Sequence, residues 1–164
     1  MNAMLWARKM SATVLGLGHL PVAPGTWASA GAALVYLAIR QAPIGLAVGG
    51  LILLTTFSFL IGVRVCPWAE EYYGRKDPSV FVLDEATGYW LACLLFWWKG
   101  PLASAAAVFV AFRFFDVLKP FPVGRLERLP RGWGVMLDDI GAAGYSALLL
   151  WPVCVFLVEP FLPS

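Results

Sequence analysis

Five carboxylates in this chain fall into three groups that adjoin long apolar stretches: Asp84-Glu85, Asp116 and Asp138-Asp139. Like charges side by side in a poorly hydrated place repel one another and are costly to desolvate. A divalent cation is the simplest counter-charge that makes them stable together. Hard carboxylate oxygens suit Mg²⁺, which takes a few carboxylates plus waters and phosphate oxygens. The acids therefore point to a metal centre at a membrane surface.

Asp84-Glu85 precedes a helix expected from Ala86, and Asp138-Asp139 precedes one expected from Ile140. The macrodipole favours anions at a helix N-terminus, but capping accounts for one acid at each start and not for two. Asp116 follows Phe112-Arg113-Phe114-Phe115, so on a helix Arg113 and Asp116 are i, i+3 neighbours and a plain ion pair is the simplest account of them. Lys119-Pro120 ends that helix. Arg113 and Lys119 would lie at the membrane–water interface, where each could meet a phosphate or simply anchor its helix. Residues 16–26 are rich in Gly and Pro; the glycines allow close backbone approach, Pro24-Gly25 makes a turn, and Thr26 is a natural N-cap for the helix that follows. Freed N–H groups there would form an anion site.

Several other chemistries are excluded. No Gly-Lys-Ser/Thr of a P-loop and no serine nucleophile elbow occur. His19 is the single histidine, so no His cluster holds zinc. Cys66, Cys93 and Cys154 are far apart and read as small buried hydrophobes. The Asp-Gly and Ala-Arg elements of CDP-alcohol phosphotransferases and the Ser-Gly-His core of phosphatidic-acid-type phosphatases are missing.

The elements that must position these residues are apolar. The chain is 60% hydrophobic and 13% charged over 164 residues, with a mean hydropathy of +0.76. That is the composition of a membrane protein, and the length allows one domain, residues 1–164. Eight tryptophans suit interfacial belts, and a net charge of +2 gives no reason to expect nucleic acid. Residues 44–63 and 140–158 are uncharged runs long enough to span, with Pro152 allowing a kink in the second. Residues 27–39, 86–98 and 102–112 are shorter, at about 16–20 Å as helices, and must extend into their flanks or be broken or partly embedded. Residues 86–112 read as a helical hairpin turning at Lys99-Gly100-Pro101. The expected fold is all-α: a polytopic membrane helical bundle with short or broken helices. The first 30 residues loosely resemble a signal peptide, with Arg8-Lys9 and Ala28-Ser29-Ala30, but Gly and Pro interrupt the middle and cleavage is not expected.

If all five segments cross, one side carries ten of the twelve Lys and Arg residues and the other only Arg40 and Lys99. The positive-inside rule makes the rich side cytoplasmic. Asp77, Asp84, Glu85, Asp116, Asp138 and Asp139 fall on that same side, as do residues 16–26, and Glu159 falls on the other.

Pro24-Gly25-Thr26 after a Gly-rich loop, Asp84-Glu85 with Gly88, Phe112-Arg113 with Asp116, Lys119-Pro120 with Pro122, and Gly132, Gly134, Met136, Asp138 and Asp139 together resemble the bacterial phosphatidylglycerophosphatase A family. The blocks run in that family's order over about residues 16–30, 79–90 and 111–145; Ala28 and Ala30 stand where the family usually has Gly and Leu. The resemblance implies a Mg²⁺-dependent phosphatase of the bacterial inner membrane that converts phosphatidylglycerol phosphate to phosphatidylglycerol. On this reading Asp84, Glu85, Asp138 and Asp139 hold Mg²⁺, Asp116 is a further ligand or base, and Lys119, Arg113, Gly25 and Thr26 bind the phosphate. Acyl chains stay among the helices. The competing class is a small transporter or ion-binding membrane protein, which wants acids near the bilayer midplane and access from both faces.

Overall fold

A computed structural model describes residues 2–158, and Glu159 lies outside them. The described residues form helices and no strand: α1 (Ala3–Ala12), a 3₁₀ turn (Leu17–His19), α2 (Pro24–Ile39), α3 (Ile44–Tyr73), α4 (Leu83–Leu95), α5 (Pro101–Leu118), α6 (Val123–Leu126) and α7 (Trp133–Val153), with a π-helical end at Cys154–Val158. The all-helical bundle agrees with the sequence. Among the described residues, three helices are long and apolar enough to cross a membrane: Ile44–Tyr73, Pro101–Leu118 and Trp133–Phe156. Helices α2 and α4, of 16 and 13 residues, reach only about 24 and 20 Å.

Helix starts differ from the sequence expectation in ways that matter for the acids. Helix α4 begins at Leu83 rather than Ala86, so Asp84 and Glu85 are in its first turn. Helix α7 begins at Trp133 rather than Ile140, placing Asp138 and Asp139 in its second turn instead of ahead of it. Helix α2 begins at Pro24 with Ala23 as N-cap; Thr26 lies inside the first turn and caps nothing. In each case the residue before the helix has no capping side chain, so the usual start signal is missing. Helix α3 runs without a break beyond the uncharged run 44–63, through Arg64 to Tyr73. At about 45 Å it is longer than a bilayer core, and its charged end projects beyond the apolar layer.

Helix α4 is the centre of the bundle, with α2, α3, α5 and α7 packed around it. Tyr89 and Cys93 of α4, Tyr36 of α2, Phe112 and Val108 of α5 and Ala142 and Ala143 of α7 form a fully buried core. Two buried hydrogen bonds tie α4 to its neighbours: the Trp90 indole donates to the Ala32 carbonyl at 2.9 Å and the Tyr89 hydroxyl to the Ala105 carbonyl at 2.9 Å. Large apolar side chains such as Leu34, Leu46, Phe57, Val110 and Leu148 point outward, as lipid-facing positions of a membrane bundle do. Ala28 and Ser29 of the signal-like motif are buried inside α2.

The bundle has two unlike ends. At one, Arg40 donates to the Trp98 carbonyl at 3.1 Å and lies 4.0 Å over the Trp97 ring, beside the Trp98–Trp151 pair. This is an interfacial aromatic belt. Because Arg40 closes α2 and Trp98 follows α4, these two helices run parallel, and their N-termini meet at the opposite end with the acids.

Candidate metal and phosphate site

The first turns of α2 and α4, the C-terminal turns of α5 and the second turn of α7 enclose a cavity of about 280 Å³. Its walls include Asp84 and Glu85 from α4, Arg113 and Asp116 from α5, Lys119 at the end of α5, Asp138 and Asp139 from α7, and Pro24 and Gly25 from α2. Folding thus gathers the three acidic groups, separated by up to 55 positions, around one space. Of the expected site residues, only Thr26 is not on the wall. His19 is exposed and also absent from it.

Glycines make the convergence possible. A Cβ on Gly25 would sit 2.2 Å from Glu85 Oε1 and 3.1 Å from Arg113 Nη1. A Cβ on Gly88, one turn after Asp84, would sit 2.7 Å from the Phe112 ring and 2.9 Å from Asp139 Cβ. The missing side chains let α2 approach α4, and let α4 approach α7, closely enough for their carboxylates to face one another.

The acids divide into two kinds. Arg113 Nη1 donates to Asp116 Oδ2 at 2.5 Å, the i, i+3 pair anticipated from the sequence. Lys119 Nζ donates to Asp138 Oδ2 at 2.6 Å, and Asp138 Oδ1 accepts from the Asp139 backbone N–H at 3.0 Å. These two acids have their counter-charges. Asp84, Glu85 and Asp139 form no ion pair among the described residues, and each offers an oxygen within 4.8 Å of the others. Moreover Asp84 Oδ1, Glu85 Oε2 and Asp139 Oδ2 are buried with no hydrogen-bond partner among the described residues.

Unpaired buried carboxylate oxygens are expensive. Burial first, then the charges of Glu85 and Asp139, holds the Asp84 carboxyl well above the ordinary carboxylate range. Burial also raises Glu85, and Arg113 opposes this only in part. Lys119 is shifted the other way from a simple buried amine: burial would lower it, but the bond to Asp138 and that acid's charge outweigh burial and raise it. Three orphaned, hard oxygen donors at one point fit a divalent cation such as Mg²⁺, and the cations beside them fit a phosphate. Asp138 stands outside the three-acid group and is engaged by Lys119.

Two further polar wall residues were not expected from the sequence as site residues. Asp77 and Ser79 belong to the short loop between α3 and α4 and face the same cavity. Asp77 takes a left-handed backbone (φ 46°) and its N–H donates to Glu70 Oε1 at 3.3 Å. Although the residue is exposed, loss of hydration against the cavity wall chiefly raises its carboxyl, with Lys119 opposing. The one available signal was an acid immediately before a proline, six positions ahead of helix α4.

Comparison with known proteins adds an independent line. Residues 10–154 match the family model described as phosphatidylglycerophosphatase A. The chain is 32% identical over 142 residues to phosphatidylglycerophosphatase A of Haemophilus influenzae, covering 84% of this chain and 83% of that one. It is 32% identical over 137 residues to phosphatidylglycerophosphatase A of Escherichia coli, covering 83% and 77%. It is equally 32% identical over 149 residues to a Bacteroides thetaiotaomicron protein provisionally named a phosphatidylinositol-3-phosphatase, covering 84% and 87%. No solved structure matches the chain.

Proposed function

The chain belongs to the phosphatidylglycerophosphatase A family and is a phosphatase; within that class we propose that it hydrolyses phosphatidylglycerol phosphate to phosphatidylglycerol and inorganic phosphate, with Mg²⁺, at the cytoplasmic face of the bacterial inner membrane. The observation that carries the reading is the trio of unpartnered buried oxygens on Asp84, Glu85 and Asp139, facing one cavity with Arg113 and Lys119. Asp84, Glu85 and Asp139 would hold the cation, with Asp77 beside them and Asp138 engaged by Lys119. When bound, the cation offsets phosphate charge and polarises the phosphorus centre.

The chain's own groups account for the rest. Arg113 and Lys119 meet phosphate oxygens and stabilise the negative charge that spreads in the transition state. Both are held in place beforehand by Asp116 and Asp138, so little ordering is needed when the substrate arrives. Asp116 takes the proton of the attacking water. The α2 N-terminus, with Gly25 against Glu85, adds backbone dipole to the same point. The site draws on residues from Ala23 to Asp139, which supports reading the chain as one catalytic domain. The excess of Lys and Arg on the acid-bearing side supports a cytoplasmic orientation. Ion transport is the weaker reading, since the acids gather at one end of the bundle.

The test is release of inorganic phosphate from phosphatidylglycerol phosphate by the purified protein in detergent. Release that needs Mg²⁺ and stops with EDTA supports the proposal. Full activity in EDTA removes the metal, and release from phosphatidylinositol 3-phosphate alone removes the substrate.

A further inference from the structure

Lys119 Nζ lies between two carboxylates that come from different elements. Asp138 Oδ2 of α7 is at 2.6 Å, and Oε2 of Glu127, the residue that closes α6, is at 3.4 Å. Asp138 lines the acid cavity and Glu127 does not. Resting on the phosphatase reading, we infer that Glu127 is a positioning residue of the reaction. From outside the cavity it holds the Lys119 ammonium so that the remaining N–H meets the phosphoryl group.

An ammonium carries three N–H donors on a flexible stem. A single bond to Asp138 fixes how far Nζ is from α7 but leaves the group free to turn about that bond. The end of α5 adds no restraint on the side chain, since Lys119 is its C-cap in a left-handed backbone (φ 44°). A second acceptor from another direction removes the freedom to turn. With Asp138 and Glu127 each taking one donor, the third is left for the cavity that Lys119 lines.

The backbone around Glu127 is fixed without using its carboxylate. A Cβ on Gly134 would sit 2.6 Å from the Glu127 carbonyl oxygen, so α7 packs directly against it. The same carbonyl accepts from Lys76 Nζ at 3.4 Å. A Cβ on Gly124 would lie 3.2 Å from the Lys119 carbonyl oxygen, so the 119–127 turn folds closely back on its start. Two borders of the cavity therefore meet at Glu127: its side chain reaches Lys119, and its backbone receives the lysine next to Asp77. The Glu127 side chain is 39% exposed, and an ion pair so placed contributes little to stability. Its contribution is orientation, because a donor aimed beforehand needs no rearrangement when charge spreads in the transition state.

Two measurements on the full protein in detergent with Mg²⁺ decide the matter. In the first, hydrolysis of phosphatidylglycerol phosphate is compared among the native protein, Glu127→Gln and Glu71→Gln. The last removes the same charge from an exposed position on the charged end of α3. Glu127→Gln should lower kcat by about tenfold, less than the ~100-fold of a 1 Å misplacement because Asp138 still holds the amine. KM should stay within about twofold, as for an interaction felt in the transition state. Glu71→Gln should match the native protein, and all three should share one Tm. In the second, lysines are acylated by a water-soluble succinimidyl ester and the rates resolved by mass spectrometry, with Lys99 at the opposite end of the bundle as internal reference. Lys119 should react several-fold faster in Glu127→Gln than in the native protein, a change that a role confined to folding would not produce. Native kcat in Glu127→Gln, a rise in KM alone, an equal loss in Glu71→Gln, a Tm that falls with the rate, or an unchanged Lys119 acylation rate each overturns the inference. A native protein that releases no phosphate sinks the proposed reaction instead, and the acylation rates then still show whether Glu127 holds Lys119.

Discussion

Lys119 Nζ lies 2.6 Å from Asp138 Oδ2, yet the adjacent Asp139 keeps a buried oxygen with no hydrogen-bond partner among the described residues. Consecutive acids on one helix turn point to different work: Asp138 holds a cation of the protein, and Asp139 faces Asp84 and Glu85. The two should therefore separate by experiment. Asp139→Asn should weaken Mn²⁺ or Mg²⁺ binding by more than about 100-fold, since losing a residue that merely supports a metal ligand already costs 10–100-fold. Asp138→Asn should bind metal within a few-fold of native and lose turnover instead. Titration followed by calorimetry or Mn²⁺ resonance measures both; equal losses of metal affinity would put Asp138 among the ligands.

Gly25 tests whether the α2 N-terminus must touch the acids. A methyl group there would overlap Glu85 Oε1 at 2.2 Å, displacing the carboxylate or the helix. Gly25→Ala should lower kcat by about 100-fold, the effect of a misplacement near 1 Å in a catalytic site. Membrane insertion and helix content should not change. Native turnover in this variant would mean that the close approach of α2 to Glu85 has no part in catalysis.

Tyr89 offers the opposite case, a residue for the fold and not for the reaction. It is fully buried one turn beyond Glu85 and donates to a helical carbonyl on α5 at 2.9 Å. Tyr89→Phe removes that bond without changing the ring packing and should cost about 0.5–1.5 kcal/mol. For a chain of this size that is a fall of a few degrees in Tm. The dependence of activity on Mg²⁺ should stay as in the native protein, which thermal scans and a cation titration in the same detergent check together.

The acids were legible in the sequence because paired charges are conspicuous in so apolar a chain; the sequence could not show how they divide. The split depends on Lys119 reaching across to α7 and on Gly88 letting α4 meet α7, both tertiary facts. The helix starts were misplaced for a local reason. Val82 and Gly132, which precede α4 and α7, carry no capping side chain. Gly132 is needed in a left-handed conformation with its α-hydrogen side against Cys66 and the Val63 carbonyl. Only packing against α3 explains a start there. By contrast α1 starts at a side-chain cap, Asn2 accepting from the Met4 N–H at 3.2 Å. Asp77 was grouped by side but not by site, because its place in the cavity comes from a turn that no motif marks.

The last prediction joins the buried acids to pH and metal. The Asp84 and Glu85 carboxyls are raised above the ordinary range, chiefly by burial, so the metal-free folded protein keeps protons that the unfolded chain has already released. In that window the unfolded state binds fewer protons, and unfolding free energy falls as pH rises. These groups favour the folded state fully below the unfolded carboxylate range, near pH 4, and that contribution is lost as pH climbs through their raised folded values. A divalent cation needs the same carboxylates ionised, so its binding releases protons and tightens with pH. In EDTA, Tm should therefore decline from mildly acidic to alkaline pH, while the rise in Tm on adding Mg²⁺ grows over the same range. In Asp84→Asn with Glu85→Gln both slopes should flatten. Thermal unfolding in detergent across pH, with and without Mg²⁺, reads all three. A Mg²⁺ increment independent of pH would show that the cation does not displace protons from these acids.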